Sequence, residues 1–591
     1  MKVILRKGTQ GYLDRWLWVP KQYISVDATK SALTHVLSDS YTGQERFLYL
    51  WRESHDHLLV PRAFWDPMRL PFPVVDCRPQ NYPHIPFQHS ILLDHRPELV
   101  DGQVTLISTG LDVQRRSVKA LYDAPGGVLQ LACGRGKTVI ALYKIATGEV
   151  PALVMCDNIN LLYQWRKEAE KMLYVPGGIG FFGDGKREWK KGLVLATYHS
   201  IANWADTIPE EARRWFGQIF WDEGHHISAP TFATTAAMFY GSRYSLTATP
   251  ERDDGLHVIA DVHVGKVLFK DLSPTLTPRF AFYWSGLELN LSDPIVRTMC
   301  LDINQEVHLS KVQTFFGQWT QRLQLIIDLV NEAGNNGRCI LVLSNSVDEV
   351  VNLMAMYELG ATAGQLYTDI PIPTPAEFGE TLTPIDLTKK EQAKLAKKKE
   401  KLERQKRNPK ATPADLVQFD AELTQVDQAF KQFEIHKKIQ NELKKRQRQY
   451  VKNLVARAQQ TGLLTYDVPA KTRQEMLGSK NIIFAVTKYG KEGMDCPRLD
   501  TVILSSLFSS RNGLQQLLGR PTRPLPGKKT PTLVAVVDNV GQCIGMSKKL
   551  AQHLRDWPND EGGPFQPLYI GYPQTWTKNS RTTNIQTLLG P

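Results

Sequence analysis

Leu131-Ala-Cys-Gly-Arg-Gly-Lys-Thr138 joins a strand to a helix through a glycine-bearing turn. Its centre, Gly134-x-Gly136-Lys137-Thr138, has the pattern of a phosphate-binding loop. Val128, Leu129 and Leu131 precede it as a strand, and Val139-Ile-Ala-Leu142 continues it as a helix. Gly134 and Gly136 let backbone N–H groups turn around a polyphosphate. The helix that follows points its positive dipole end at the same anion. In that geometry Lys137 reaches the β- and γ-phosphates, and Thr138 holds Mg²⁺. The full pattern asks for glycine at position 131, where this chain has leucine. A chance glycine-rich turn is the competing reading, and the motifs downstream weigh against it.

A chain of 591 residues predicts several domains. With 42% hydrophobic and 22% charged residues it can build true cores. A net charge of +12 suits a polyanion, with nucleic acid the first candidate and a generic basic protein the plain alternative. The seven cysteines form no C-x-x-C pair, which argues against a zinc site or a disulfide framework and for a reducing compartment. Met1-Lys-Val-Ile-Leu-Arg-Lys-Gly8 lacks the apolar core of a signal peptide, and no run approaches the length of a membrane span. The expectation is a monomer without a membrane partner in the cytoplasm, that of a bacterial or phage-infected cell included.

Residues 1–105 read as an N-terminal α+β accessory domain, with short aromatic strands at Trp16-Leu-Trp18-Val, Phe47-Leu-Tyr-Leu-Trp51 and Leu58-Leu-Val60. Leu59-Val60-Pro61-Arg62-Ala63-Phe64-Trp65 fits either a nucleic-acid contact or an exposed aromatic edge. Residues 106–275 alternate strand and helix, the pattern of a parallel sheet covered on both faces. Gln114 opens a helix ahead of the phosphate loop, where its amide could read an adenine edge. Strands at Ala152-Leu-Val-Met155, Leu193-Val-Leu-Ala-Thr197, Ile219-Phe-Trp221 and Tyr244-Ser-Leu-Thr247 end in polar residues. In such sheets chemistry sits at those C-terminal ends.

The chemical centre is Asp222-Glu223-Gly224-His225-His226. Asp222 can hold Mg²⁺ opposite Thr138, and Glu223 can orient and deprotonate a water in line with the γ-phosphate. The two histidines lack a third metal ligand at usable spacing.

Residues 276–555 predict a second α/β domain, starting at Cys339-Ile-Leu-Val-Leu343-Ser344-Asn345 and resuming at Asn481-Ile-Ile-Phe-Ala-Val486-Thr487. Residues 372–465 interrupt it as a helical hairpin. Thr388-Lys-Lys-Glu391 is a capping box, Thr412-Pro413 starts the second helix, and Leu416, Phe419, Leu423, Val426, Phe430 and Phe433 form a coiled-coil seam. The first helix is dense in lysine and arginine, which predicts outward basic faces. Residues 556–591 read as an irregular tail.

The order of these motifs resembles the superfamily 2 helicases. Gly134–Thr138 matches motif I, Asp222–His225 a DExH motif II and Ser245–Pro250 motif III. Thr487–Pro497 resembles motif V, and Gln516-x-x-Gly519-Arg520-x-x-Arg523 matches motif VI. Asp222–His226 and Leu246-Thr-Ala-Thr-Pro-Glu-Arg252-Asp-Asp254-Gly255 are most similar to duplex-DNA helicases of the phage UvsW type and the XPB-like type. The departures are Leu131, Asp112-Val113 before Gln114, and the inserted hairpin. The resemblance implies two RecA-like parallel-sheet domains closing on ATP and Mg²⁺. It implies that Arg520, Arg523 and Gln516 serve the γ-phosphoryl group, and that Gln114, Gly493 and Asp495 serve the nucleotide. Thr197, Ser344, Asn345 and Thr487 would touch the nucleic-acid backbone. The implied activity is ATP-driven movement on duplex, forked or branched DNA, with RNA as the alternative polyanion. An ATP-gated duplex clamp or sensor, or the motor subunit of a restriction system, are the other readings of the same motifs.

Overall fold

The computed structural model describes residues 9–38, 45–100, 103–132, 134–183, 185–228, 233–248, 256–273, 276–407, 412–491, 496–508, 510–523, 525–555, 565–573 and 581–590. The chain forms two compact units. One comprises residues 1–289, 330–343 and 487–591, the other residues 290–329 and 344–486.

In the first unit, seven strands form a parallel sheet. They are β1 (Gly126–Leu131), β2 (Ala152–Cys156), β3 (Ile179–Gly183), β4 (Leu193–Thr197), β5 (Gln218–Asp222), β6 (Ser242–Thr247) and β7 (Val267–Asp271). Their order is β3-β4-β2-β5-β6-β1-β7, with Lys186–Arg187 added antiparallel at the β3 edge. β2 and β4 are buried along their whole length, as strands covered on both faces must be. Successive residues feed opposite faces. Val154 joins Leu129, Ile140, Leu195 and Phe220 in one core, while Leu153 and Met155 join Val194, Ile219 and Trp221 in the other. Helices α1 (Val113–Asp123), α2 (Lys137–Gly148), α3 (Ile159–Met172) and α4 (Tyr198–Trp204) belong to this layer.

The N-terminal residues form a five-stranded sheet from Gly11–Leu13, Leu17–Pro20, Arg52–Glu53, His57–Val60 and Val74–Asp76. Leu17, Val19, Leu58, Val60 and Phe72 bury a core together with Ile259 and Val262 from the helix Val258–Val264. Arg62 donates to the carbonyls of Tyr240 (2.7 Å) and Gly241 (2.8 Å), and Arg243 donates to that of Arg15 (2.9 Å). The accessory segment thus shares its core with the first sheet domain.

The same unit holds β8 (Arg279–Trp284) and most of β9 (Ile340–Ser344). In the second unit lie β10 (Thr461–Leu464), β11 (Ile482–Val486) and the helix α5 (Val347–Leu359). The first unit again supplies β12 (Thr501–Leu504) and β13 (Thr532–Val537). Parallel ladders join β9 to β12, β12 to β13 and β13 to β8; within the second unit β10 runs parallel to β11. The architecture is α/β with parallel sheets, as the strand and helix pattern predicts.

The inserted hairpin consists of α6 (Lys389–Lys406) and α7 (Pro413–Arg457), each opened by a threonine capping box. The 45 residues of α7 span about 67 Å at 1.5 Å per residue. Val426 and Phe433 of the seam are buried, as is Leu402 of α6, while Leu416, Phe419, Leu423 and Phe430 are half-buried. The charge distribution corrects the expectation of two outward basic faces. Lys398 pairs with Glu422 (3.2 Å) and Lys399 with Asp427 (2.7 Å), and Lys406 pairs with Asp420, so acids of α7 neutralise part of α6. The base of α7 is rooted in its unit: Tyr450 donates to the Gln365 carbonyl (3.0 Å), and Val451 and Leu454 are buried. Among the described residues, no helix is long and apolar enough to cross a membrane.

Candidate nucleotide site and strand-end cleft

The phosphate loop lies between β1 and α2. Gly134 (φ +85°) and Gly136 (φ +81°) are left-handed, so both glycines are required by the backbone. Leu131 instead ends β1 in extended conformation and is fully buried, so the position that usually carries glycine serves the core here. Gln114 packs on the loop, where a Cβ added to Gly136 would meet its Nε2 at 2.4 Å. Its Oε1 accepts from the Asp94 backbone N–H (2.7 Å) and its Nε2 donates to the Arg135 carbonyl (3.4 Å). The Gln114 N–H in turn donates to Asp94 Oδ1 (2.8 Å). Lys137 donates to the Leu131 carbonyl (3.1 Å).

Across β6 from β1, β5 ends in Asp222. Its Oδ2 accepts from the indole N–H of Trp165 (2.7 Å), its Oδ1 from the Glu223 N–H (3.2 Å), and its carbonyl from the Tyr198 hydroxyl (3.0 Å). Burial and the adjacent Glu223 charge push the Asp222 carboxyl up to about 6, against the pull of Trp165 and the Lys137 ammonium. Glu223 has φ +48°, a left-handed backbone at a residue with a Cβ. Thr247, at the end of β6, donates to its Oε2 (3.4 Å). The turn tolerates no side chain at the next position: a Cβ on Gly224 would meet Ser245 Oγ at 1.8 Å. This contact joins motifs II and III across adjacent strands. His226 Nδ1 lies 3.7 Å from Asp157 Oδ1, and its ring centroid is 6.2 Å from that of Tyr198.

Asp157 leads from this site to a second feature. Asp157, Asn158, Thr197, His199, Lys488 and Tyr489 line one cleft at the strand ends. Thr197 caps α4, accepting from the Ser200 N–H (3.2 Å). Thr487 is buried beside Lys488, and its hydroxyl has no hydrogen-bond partner among the described residues. Ser344 requires a correction: it is fully buried and donates its hydroxyl to the buried Glu349, so it is not available for a backbone contact. Its neighbour Asn345 is exposed.

Gln516 lies in α8 (Arg511–Leu518), with its side chain outside the described residues, as are Gly493 and Asp495 altogether. Arg520 and Arg523 follow α8 in a turn closed by Arg520 N–H to the Leu517 carbonyl (3.1 Å), and both are partly exposed. Lys528 donates to the carbonyls of Arg523 and Pro497 (both 2.8 Å), tying motif VI to the end of motif V. Burial pushes its ammonium down to about 8. Sequence reasoning missed Asp94, Trp165, Tyr198 and Lys528. Each acts through distant backbone or a carboxylate, and only the fold brings those partners together.

Residues 103–252 match the family described as "Type III restriction enzyme, res subunit". The DNA 3'-5' translocase XPB2 of Sulfurisphaera tokodaii is 35% identical over 161 residues, 27% of this chain and 35% of the relative. The DNA 3'-5' helicase XPB of Mycobacterium tuberculosis is 31% identical over 150 residues, 24% and 27% of the two chains. A putative ATP-dependent RNA helicase, L396, of Acanthamoeba polyphaga mimivirus is 26% identical over 249 residues, 40% and 45%. The chain thus spans about a third of the length of the first two relatives. The glycine loop between β1 and α2 and the Asp222-Glu223-Gly224 turn both lie within the matched residues 103–252. Over that segment the chain is similar to proteins named as XPB helicases and translocases.

Proposed function

We propose that this protein hydrolyses ATP to drive movement on DNA, unwinding or remodelling duplex or branched substrates. One observation carries the reading. Lys137 and the Asp222-Glu223 pair, at the ends of β1 and β5, sit close enough that the Lys137 charge acts on the Asp222 carboxyl. A cation and two crowded carboxylates at one strand-end site suit a metal-bound triphosphate.

Thr138 and Asp222 fit Mg²⁺. Both offer oxygen donors, and Glu223 sets a second carboxylate beside Asp222. No cluster of three or more metal-binding side chains occurs among the described residues, which suits an ion held mostly by phosphate oxygens and water. When bound, Mg²⁺ supplies charge neutralisation across the phosphates. Lys137 holds the β- and γ-phosphates, and Glu223 Oε2, kept in place by Thr247, takes the proton of the attacking water. Arg520 and Arg523, with Gln516, stabilise charge on the γ-phosphoryl group. Gln114, Gly493 and Asp495 serve the nucleotide. Thr197, Asn345 and Thr487 serve the nucleic-acid backbone, and the hairpin beyond its rooted base serves as a DNA-contacting arm. The cysteine pattern supports a reducing cytoplasm.

The restriction-type match favours a second reading, a motor subunit that works with a nuclease partner. That match ends at residue 252, so it supports the nucleotide site and reaches no further along the chain. The test compares ATP turnover on single-stranded, duplex, forked and four-way DNA and on RNA, together with strand displacement. Turnover stimulated by duplex or branched DNA, with strand separation, is expected. Stimulation without strand separation would select the clamp, and stimulation by RNA alone would remove DNA as the partner.

A further inference from the structure

The second unit contains a groove that no nucleotide motif lines. Arg448, Val451, Lys452, Val455 and Ala456 from the base of α7 form one wall, and Tyr466 to Pro469 with Thr472 form the other. The lining is mainly aliphatic, and Tyr466 stands at its mouth with 61% of its surface exposed.

Asp467, whose side chain is 5% exposed, takes Arg448 Nε at 3.3 Å. Asp467 offsets one cation of the groove. Lys452 is exposed and makes no ion pair among the described residues. Lys445, Arg448 and Lys452 follow one another at spacings of three and four, so they share a face of α7. Lys445 is 80% exposed at its side chain and, among the described residues, pairs only with Glu442 of its own helix at 3.5 Å. The result is a basic stripe of about 10 Å that ends on an aromatic face above an apolar groove. Tyr466 lies just beyond the end of β10, so the groove opens at the C-terminal end of a parallel strand. That is the side of such sheets where ligands bind.

Aromatic face, apolar floor and a track of cations match the chemistry of an unstacked base with its flanking phosphates. A duplex end offers no free base face at the side of its stack, and an acidic peptide would leave the ring without a partner of its own shape. We infer that this groove binds one unstacked base of single-stranded DNA on Tyr466, with the flanking phosphates on Lys452 and Lys445. The inference rests on the nucleic-acid reading above and adds to it a single-strand site on the inserted hairpin's base.

The experiment places 2-aminopurine in short single-stranded DNA and measures its fluorescence and affinity with the full chain and its variants. Stacking quenches the probe in the parent complex. Tyr466→Ala should lose the quench and weaken binding roughly 5- to 100-fold, the range that aromatic stacking of one base supports. Tyr466→Phe keeps the ring and should retain both signals. Lys452→Ala should keep the quench, weaken binding and lower the salt slope by about 0.7, the share of one single-strand phosphate that is no longer neutralised. Thermal midpoints identify any variant that fails to fold, and Tyr466→Trp supplies the second ring-retaining variant.

Tyr466→Ala matching the parent in quench and affinity would overturn the site. So would equal losses for Tyr466→Phe and Tyr466→Ala, which would assign the effect to the hydroxyl. A parent that binds no DNA overturns both this site and the proposed function. A parent that binds and hydrolyses normally while the Tyr466 variants behave like it overturns only the site.

Discussion

Asp222 with Glu223 and Glu349 with Arg322 place carboxylates in opposite circumstances. Glu349 is fully buried, yet its oxygens take the Arg322 guanidinium and the Ser344 hydroxyl, and Arg322 also stacks 3.6 Å from the centroid of Phe316. Every strong demand of the buried charge is met inside the protein. Asp222 and Glu223 stand side by side, with one carboxyl pushed up to about 6 and the other carried on a left-handed backbone. Hydrogen bonds from Trp165 and Thr247 orient them. A satisfied carboxylate holds a fold together. A crowded and oriented pair favours a cationic or metal-bound ligand.

The largest effect should fall on turnover at Glu223. Glu223→Gln keeps shape and the Thr247 hydrogen bond but removes the base, so turnover should fall about 10²- to 10⁴-fold while nucleotide still binds. Near-parent turnover would put Glu223 in the same category as Glu349. Nucleotide affinity by equilibrium titration separates the two effects.

The mirror experiment breaks the other carboxylate. Glu349→Gln or Arg322→Met leaves one buried charge uncompensated and should destabilise the fold by about 3–5 kcal/mol in denaturant unfolding. The double variant Arg322→Met/Glu349→Leu should recover most of that loss. An unchanged midpoint in either single variant would show that the buried pair is not what holds this region.

The third test sharpens the distinction between the nucleotide site and the inserted hairpin. Replacing the outer hairpin, residues 388–430, with a Gly-Ser loop spares the rooted half of α7. It should leave DNA-independent hydrolysis intact and reduce the salt slope of duplex binding by roughly 0.9 for each phosphate the arm had neutralised. The cross-pairing of Lys398, Lys399 and Lys406 leaves fewer cations of α6 to meet phosphates, so the reduction should be modest. An unchanged slope and affinity would make the arm a spacer.

The smallest effect is a pH dependence. The Asp222 carboxyl is raised in the folded state, so its contribution to stability is present below about 3.8 and is lost as pH rises through about 6. Asp222→Asn removes that loss. The variant's nucleotide-free stability should therefore gain on the parent's between pH 4 and 7, by on the order of 1–2 kcal/mol after solvent screening. A gain that is flat with pH would show that Asp222 is not strained by its surroundings. In the parent, Mg²⁺ affinity should weaken as pH falls below about 6, because the proton competes for the same oxygen.

The sequence alone determined the α/β class, the phosphate loop, the Asp-Glu turn and the hairpin, because each is a local pattern. Strand hydrophobicity, glycine at positive φ and capping boxes act within a few residues, so Gly134, Gly136, Thr388 and Thr412 announce their roles without neighbours. Leu131 was legible only as a departure, and the structure explains it as the buried last residue of β1. What tertiary structure decided is which polar groups are satisfied. Ser344 and Thr197 look alike as hydroxyls at strand ends, but Glu349, from a neighbouring helix, claims the first and leaves the second on a cleft. The same holds for Trp165 on Asp222, Ser245 against Gly224, Asp94 on Gln114 and the α7 acids on the α6 lysines. Hydrogen bonds, close packing and charge pairing fall off within a few ångströms. Residues far apart in the chain can therefore set one another's chemistry only after the fold has brought them into reach.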